Sequence, residues 1–366
     1  MRTVAAFTDT YLPTVNGVSY TVRTWRDRWR RRGGRMAVVY PDNGARRSGA
    51  GEYPVPSAPF PFYDGFRFAV PTVPDDVHGI GPEVVHAHTP FALGLAGRRL
   101  ASDLGAPLVV SYHTPAGEYA RYISDTFSSQ IRRIADGYER WYFEGADAIV
   151  APSETAAAAI RGVDAPVHVV SNGVDTDRFR PVGDGRSATF RRRYDLPDGK
   201  IVGYTGRHGH EKRLEDVLAA TADLDVGVVL AGDGPARPGL ERRAADRDDV
   251  GFLGFLDRSE LPAFYSALDA FVFPSPVETQ GLVALEAIAC GTPVVAAEAG
   301  ALVETVTDGE TGFHFEAGNE DAFRSAIART LAEAGRLPTR LDERRERLCV
   351  ERSIDDLRAV YDDVCS

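Results

Sequence analysis

Two acids eight residues apart, Glu278 and Glu286, stand in the segment PSPVETQGLVALEAIACGTPVV (274–295). Between them, Gln280, Gly281 and Leu282 read as the start of a helix, where backbone N–H groups have no intrahelical partner. Glu286 falls in a nearly apolar run, so partial burial is expected, and a buried carboxylate needs partners. Acids placed this way can accept hydrogen bonds from two hydroxyl-rich parts of one ligand. The plainer alternative is a solvated acidic helix face, which that apolar run disfavours.

A second constellation lies upstream, in VGYTGRHGHEKRLEDVL (202–218). Arg207 and Lys212 flank the start of the next helix there. Two cations beside exposed helix amides make a cradle for a diphosphate. Neither G-x-G-x-x-G nor G-x-x-x-x-G-K-[ST] occurs, so dinucleotide and P-loop motifs are absent. Lys212 is one of only two lysines in the chain, the other 40 basic residues being arginine. A lysine kept against that bias suggests a place that needs a compact ammonium. The turn Gly232-Asp233-Gly234 in VVLAGDGP reads, on its own, as a plain turn.

Two further loops complete the set. Asn16-Gly17 stands just before a helix start, where glycine lets backbone amides approach an anion or simply makes a tight turn. His113, in SYHTP, closes a strand at its carboxyl end.

The elements that must position these residues alternate. Strand candidates are 3–8, 36–40, 84–88, 107–113, 148–152 and 167–171, with helical stretches at 18–32, 91–104 and 128–145. A second series has strands at 200–206, 226–232, 250–254, 270–274 and 293–297, with helices at 213–221, 238–246, 260–268 and 281–289. Strands alternating with helices predict parallel sheets built from right-handed βαβ units. The fold class is therefore α/β, with two Rossmann-like doubly wound domains facing a cleft, and chemistry at the carboxyl ends of the strands. The Pro- and Gly-rich stretch 178–190 suggests the boundary, giving domains 1–178 and 179–350. Residues 341–364 are highly charged and helical in character.

Composition narrows the function. The 366 residues carry 42 Lys+Arg against 53 Asp+Glu, a net charge of −11, with 43% hydrophobic residues. Residues 1–60 hold a net +6 and the remainder −17. An acidic body disfavours nucleic acid as partner, since phosphate binding needs an extended basic face. The acid excess and arginine bias predict a chain adapted to high salt. No run approaches 18 apolar residues, and the N-terminal sequence lacks the apolar core of a secretory signal, so a cytosolic location is expected. Three cysteines form neither a disulfide framework nor a zinc pattern, and no metal site is predicted. The helix VSYTVRTWRDRWRRR places Val18, Val22, Trp25 and Trp29 on one face with arginines mostly elsewhere. That pattern suits an anionic membrane surface or, equally, packing against the sheet.

Together the segments PTVNGV, SYHTP, DAIVAPSE, SNGVDTDRF, GRHGHEK, AGDGP and ETQGLVALEAIACGTPVV resemble the family 4 glycosyltransferases of the GT-B fold, over nearly the whole chain. The resemblance implies retaining transfer of a hexose from a nucleoside-diphosphate sugar, UDP-linked being the commonest expectation, to an acceptor hydroxyl. Arg207 and Lys212 would then hold the diphosphate, Glu278 the sugar hydroxyls and Glu286 the ribose. His113 would line the reaction centre, and Gly17 would approach the phosphates or acceptor. Gly281 and Leu282 would supply amides to the same donor. No cofactor is required, and a divalent cation is not implied. The PTVNGV and SYHTP segments are similar to members acting on lipids, so a membrane lipid or lipid-linked glycan is the expected acceptor. The enzyme would then sit peripherally on the inner face of the membrane. The last helix of the family usually crosses back, which would place 351–366 on the N-terminal domain. A sugar-nucleotide epimerase and a non-catalytic sugar-nucleotide-binding subunit are the alternatives.

Overall fold

The computed structural model describes residues 1–44, 48–60, 67–114, 128–333, 337 and 345–366. Two compact units divide the chain: Met1–Asn172 with Val350–Ser366, and Gly173–Cys349.

In unit 1, the seven-stranded sheet has the order β3-β2-β1-β6-β7-β8-β9. Its strands are β1 (Thr3–Phe7), β2 (Arg35–Pro41), β3 (Glu52–Val55), β6 (Val84–Ala87), β7 (Leu108–Ser111), β8 (Ala148–Ala151) and β9 (Val167–Val169). Every pairing is parallel. A short antiparallel pair, β4 (Ser57–Pro59) and β5 (Arg67–Ala69), lies apart from it. The central strands are buried along their whole length, as parallel strands covered on both faces must be.

Unit 2 repeats the plan with six parallel strands in the order β12-β11-β10-β13-β14-β15. They are β10 (Ile201–Thr205), β11 (Gly227–Ala231), β12 (Val250–Gly254), β13 (Ala270–Phe273), β14 (Val294–Ala297) and β15 (Gly312–Phe315). In each sheet the strand order reverses once, between β1 and β6 and between β10 and β13. Ligands of doubly wound sheets bind at that reversal, outside the carboxyl ends of the strands.

Two sequence-based expectations are sharpened by the structure. The stretch 178–190 is folded into unit 2. Phe179 is fully buried in the core of unit 2, the Val174 amide bonds to the Leu348 carbonyl, and Asp184–Arg193 is helical. The units accordingly divide between Asn172 and Gly173, ahead of the boundary at 178. The charged stretch 341–364 is helical from Val350, after a short 3-10 turn at Glu346–Leu348, and 341–344 lie outside the described residues.

The apolar stripe of the Gly17–Arg31 helix is taken up inside unit 1. Val22, Trp25 and Trp29 are fully buried, and the Trp29 ring meets Tyr361 edge-on at 5.2 Å. The indole N–H of Trp25 donates to the Asn172 carbonyl at 2.9 Å, and that of Trp29 to the Arg2 carbonyl at 3.0 Å. Arg28 and Arg32 pair with Glu351 of the Val350–Val364 helix, and Arg26 with Glu52 and Asp27. The apolar stripe faces the sheet, and acids of the chain itself take up several of the arginines. Among the described residues, no helix is long and apolar enough to cross a membrane.

Candidate active site

The two strands at the reversal in unit 2 each deliver one charged side chain. Lys212 ends the 3-10 turn His210–Lys212 that follows β10, and Glu278 lies in the loop after β13. Lys212 Nζ stands 2.5 Å from Glu278 Oε1, both side chains being mostly buried. The ammonium also lies 6.0 Å from the centre of the Phe273 ring. Arg207 precedes the same turn. Burial holds the Tyr204 hydroxyl far above its ordinary pKa; Glu278 and Glu211 push it further up and Arg207 pulls it down. The Tyr204 hydroxyl also lies 3.4 Å from the Arg207 carbonyl oxygen.

Glycines knit this loop to its neighbour. The His208 amide donates to the Asp233 carbonyl, and the Ala236 amide to the His208 carbonyl, both at 2.8 Å. A Cβ on Gly232 would stand 2.0 Å from the Gly206 oxygen, and one on Gly234 would stand 2.6 Å from the His208 oxygen. Only glycine lets the two backbones approach this closely. The Gly-Asp-Gly turn is thus a lock on the Arg207–Lys212 loop rather than a plain turn. The signal for it in the sequence was a pair of glycines at a strand's carboxyl end.

The eight-residue spacing does not bring Glu278 and Glu286 to one protein partner. Glu286 lies within the Leu282–Ala289 helix and is 2% exposed. Tyr265 donates to its Oε2 at 3.0 Å, and Arg258 Nη2 lies 2.9 Å from its Oε1. Burial raises the Glu286 pKa, and Arg258 and Tyr265 oppose that rise. The Arg258 guanidinium in turn stacks over Phe179 at 4.9 Å. Sequence reasoning missed Arg258 and Tyr265, because nothing local to either residue points to the helix they brace. Gly281 caps that helix in a left-handed conformation (φ 78°), and a Cβ there would stand 2.8 Å from Leu302. Leu282 opens the first turn, where amides face outward from the helix start.

The remaining predicted residues, Gly17 and His113, belong to unit 1. Asn16 caps the Gly17–Arg31 helix by accepting from the Ser19 amide at 2.8 Å. Gly17 is exposed, and a Cβ there would meet nothing within 4 Å, so the packing of unit 1 does not require glycine. His113 lies just beyond β7. Its Nε2 is 3.2 Å from His88 Nδ1, and His86 stacks on His88 with ring centres 4.0 Å apart. Trp25 lies within 6.4 Å of all three imidazoles. Val18, His88, Ser111, His113 and Glu139 line one shallow pocket. Burial pushes the His86 pKa down to about 3 and that of His113 to about 4, and holds His88 well below its ordinary value. The rings are therefore neutral near pH 7.

Asp9, after β1, accepts from Oγ1 of Thr89, a residue of the pocket lining, at 2.7 Å and from the Leu93 amide at 3.0 Å. Burial raises its pKa to about 6. It joins the two strand ends at the reversal of unit 1. Among the described residues, no His, Cys, Asp and Glu cluster could hold a metal ion.

Comparison with known proteins adds the following. A family model described as "Glycosyl transferases group 1" matches residues 187–348, and one described as "Glycosyltransferase Family 4" matches residues 15–178. The chain is 33% identical over 345 residues to a GDP-mannose-dependent alpha-mannosyltransferase of Mycobacterium tuberculosis, covering 91% of this chain and 89% of that one. It is 30% identical over 314 residues to the alpha-monoglucosyldiacylglycerol synthase of Streptococcus pneumoniae, covering 80% and 70%. Among solved structures, sucrose-phosphate synthase from Thermosynechococcus elongatus superposes with a TM-score of 0.81 at 23% identity, covering 100% of this chain and 99% of that one. Anabaena HepE in complex with UDP and glucose superposes with a TM-score of 0.77 at 20% identity, covering 100% of both chains. Those two likenesses establish the fold.

Proposed function

The chain belongs to the family 4 glycosyltransferases of the GT-B fold, and from that premise we propose that it moves a hexose, with retention, from a nucleoside-diphosphate sugar to a hydroxyl of a membrane lipid or lipid-linked glycan. The observation that carries the donor reading is the Lys212–Glu278 contact at the strand-order reversal of unit 2. It sets a cation for a diphosphate beside a carboxylate for sugar hydroxyls.

In the proposed reaction the bond from the anomeric carbon to the diphosphate oxygen breaks, and the diphosphate leaves with the electron pair. Arg207, Lys212 and the amides at Gly281 and Leu282 stabilise that growing negative charge. Glu278 holds the sugar hydroxyls while positive charge grows on the ring. Glu286, braced by Arg258 and Tyr265, serves the ribose. The acceptor oxygen attacks the same face, and its proton passes to the departing phosphate oxygen. The family resemblance assigns His113 and Gly17, both residues of unit 1, to the sugar and the acceptor.

Two donors deserve first trial. The mycobacterial relative's name favours GDP-mannose, whereas a UDP-hexose is the expectation from sequence. The acceptor class rests on the pneumococcal relative, whose name specifies a glucosyldiacylglycerol product. The test is a panel of sugar nucleotides incubated in high salt with total membrane lipid extract, followed by product mass. A lipid gaining one hexose supports the proposal. Conversion of the donor without any acceptor would favour the epimerase alternative, and tight donor binding with no turnover would favour a binding subunit.

A further inference from the structure

We propose that His88 is a positioning residue for His113: its Nδ1–H donates to His113 Nε2 and so fixes the tautomer in which His113 carries its ring proton on Nδ1. This rests on the reading that His113 serves the reacting sugar.

The argument begins with how rigidly His88 is held. It is 1% exposed, stacked on His86 at 4.0 Å and nearly parallel to His113, with 19° between the ring planes. His86 is itself pinned at both nitrogens, Nδ1 lying 2.6 Å from the Tyr361 hydroxyl and Nε2 2.7 Å from Ser111 Oγ. The ring column therefore has little freedom to turn, and His88 Nδ1 is committed to His113 at 3.2 Å.

The direction of that hydrogen bond follows from the other edge of His88. Its Nε2 is buried and has no partner among the described residues. A neutral imidazole has one donor and one acceptor nitrogen. If His113 donated, His88 would carry its proton on Nε2, leaving a buried N–H unpaired. Orphaned buried donors are rarer than under-satisfied acceptors. With His88 donating, the orphan is a lone pair. His113 Nε2 then accepts, and its single proton sits on Nδ1.

In this arrangement His113 meets its ligand as a neutral ring of defined polarity. A ring free to exchange tautomers would present the correct edge only part of the time.

The test uses the full chain labelled with 15N-histidine. Long-range proton–nitrogen spectra near pH 7, assigned by single substitutions, report which ring nitrogen bears the proton. The wild-type protein should show His113 Nε2 as an unprotonated acceptor and Nδ1 as protonated. A protonated Nε2 or exchange-averaged shifts in the wild-type protein would overturn the proposal. His88→Asn, whose amide can donate from near the place of Nδ1, should keep the tautomer and most of the rate. His88→Leu should average the His113 shifts and lower kcat by about 10- to 100-fold, the size of outer-shell effects on ligand-holding histidines, with a much smaller change in donor KM. An unchanged His113 tautomer in His88→Leu would also overturn it. His113→Ala separates the two claims. Normal turnover in that variant removes His113 from the reaction, while the wild-type spectrum still decides the role of His88.

Discussion

Lys212 and Glu278 reach toward each other from the ends of β10 and β13, the two strands between which the order of the sheet reverses, and meet at 2.5 Å. Although 66 positions apart in sequence, they place a cation and an anion at the position where a doubly wound sheet takes its ligand. Each side chain sets the position of the other, and removing either one strands a mostly buried charge.

Lys212→Ala should lower kcat/KM for the sugar nucleotide by about 10- to 100-fold, the equivalent of one charge-assisted hydrogen bond of about 1.5–3 kcal/mol. Steady-state kinetics with the preferred donor measures it. Turnover close to wild type would contradict a role for this ammonium on the diphosphate.

Glycine substitutions should separate packing from ligand approach. Gly234→Ala forces a methyl group toward the His208 carbonyl and should destabilise unit 2 by about 1–3 kcal/mol. Gly17→Ala meets nothing in the protein and should leave stability within about 0.5 kcal/mol while lowering transfer. Denaturation curves and kinetics on both variants decide the matter. Full activity in Gly17→Ala would mean that no ligand approaches that helix start.

Arg258 and Glu286 should be energetically coupled. Removing one partner of a buried pair costs about 3–5 kcal/mol, because the other charge is left uncompensated. Arg258→Met and Glu286→Gln should therefore each destabilise unit 2, and the double variant should lose much less than their sum. A coupling below about 0.5 kcal/mol would show that the two side chains do not depend on each other.

Unit 1 should weaken on acidification. An unfolded chain protonates its histidines once the pH falls below about 6.5. In the folded unit His86 waits until about pH 3 and His113 until about pH 4, and His88 is likewise held down. The stability their burial supports is complete above pH 6.5 and falls below it, by about 1.4 kcal/mol per pH unit for each ring. Asp9 works in the opposite sense. Its folded pKa of about 6 lies above the unfolded value, so protonation between about pH 6 and 4 favours the fold and makes the decline shallower. Urea midpoints followed from about pH 7.5 to 4.5 should drop, and a flat profile would refute burial of neutral histidines.

The strands were legible in the sequence where they are continuous apolar runs, such as AIVA, AFVF and VVAA, since parallel strands covered on both faces tend to be apolar throughout. Strand β15 was not, because a histidine and an opening glycine interrupt GFHF. The Glu320–Ala332 helix carried a readable start in its Asn319 cap and the acids at 320 and 321, and this was passed over. Lys212 stood out because lysine is so scarce in the chain. Arg258, Tyr265 and His88 did not, because their importance depends on partners brought close only by folding. Trp25 and Trp29 left two readings open for the same reason: an amphipathic stripe looks alike whether a bilayer or a sheet covers it. The acids that pair with arginines of that helix, Glu351 and Asp355, lie more than 300 residues away.

The Val350–Val364 helix, whose Tyr361 pins His86, is synthesised after all of unit 2, yet its buried face completes the core of unit 1. The first half of the enzyme to leave the ribosome is thus the last to be finished. Until residues 350–364 have been made, Trp29 and the histidine column lack their cover, and unit 2 can close its own core while unit 1 still waits.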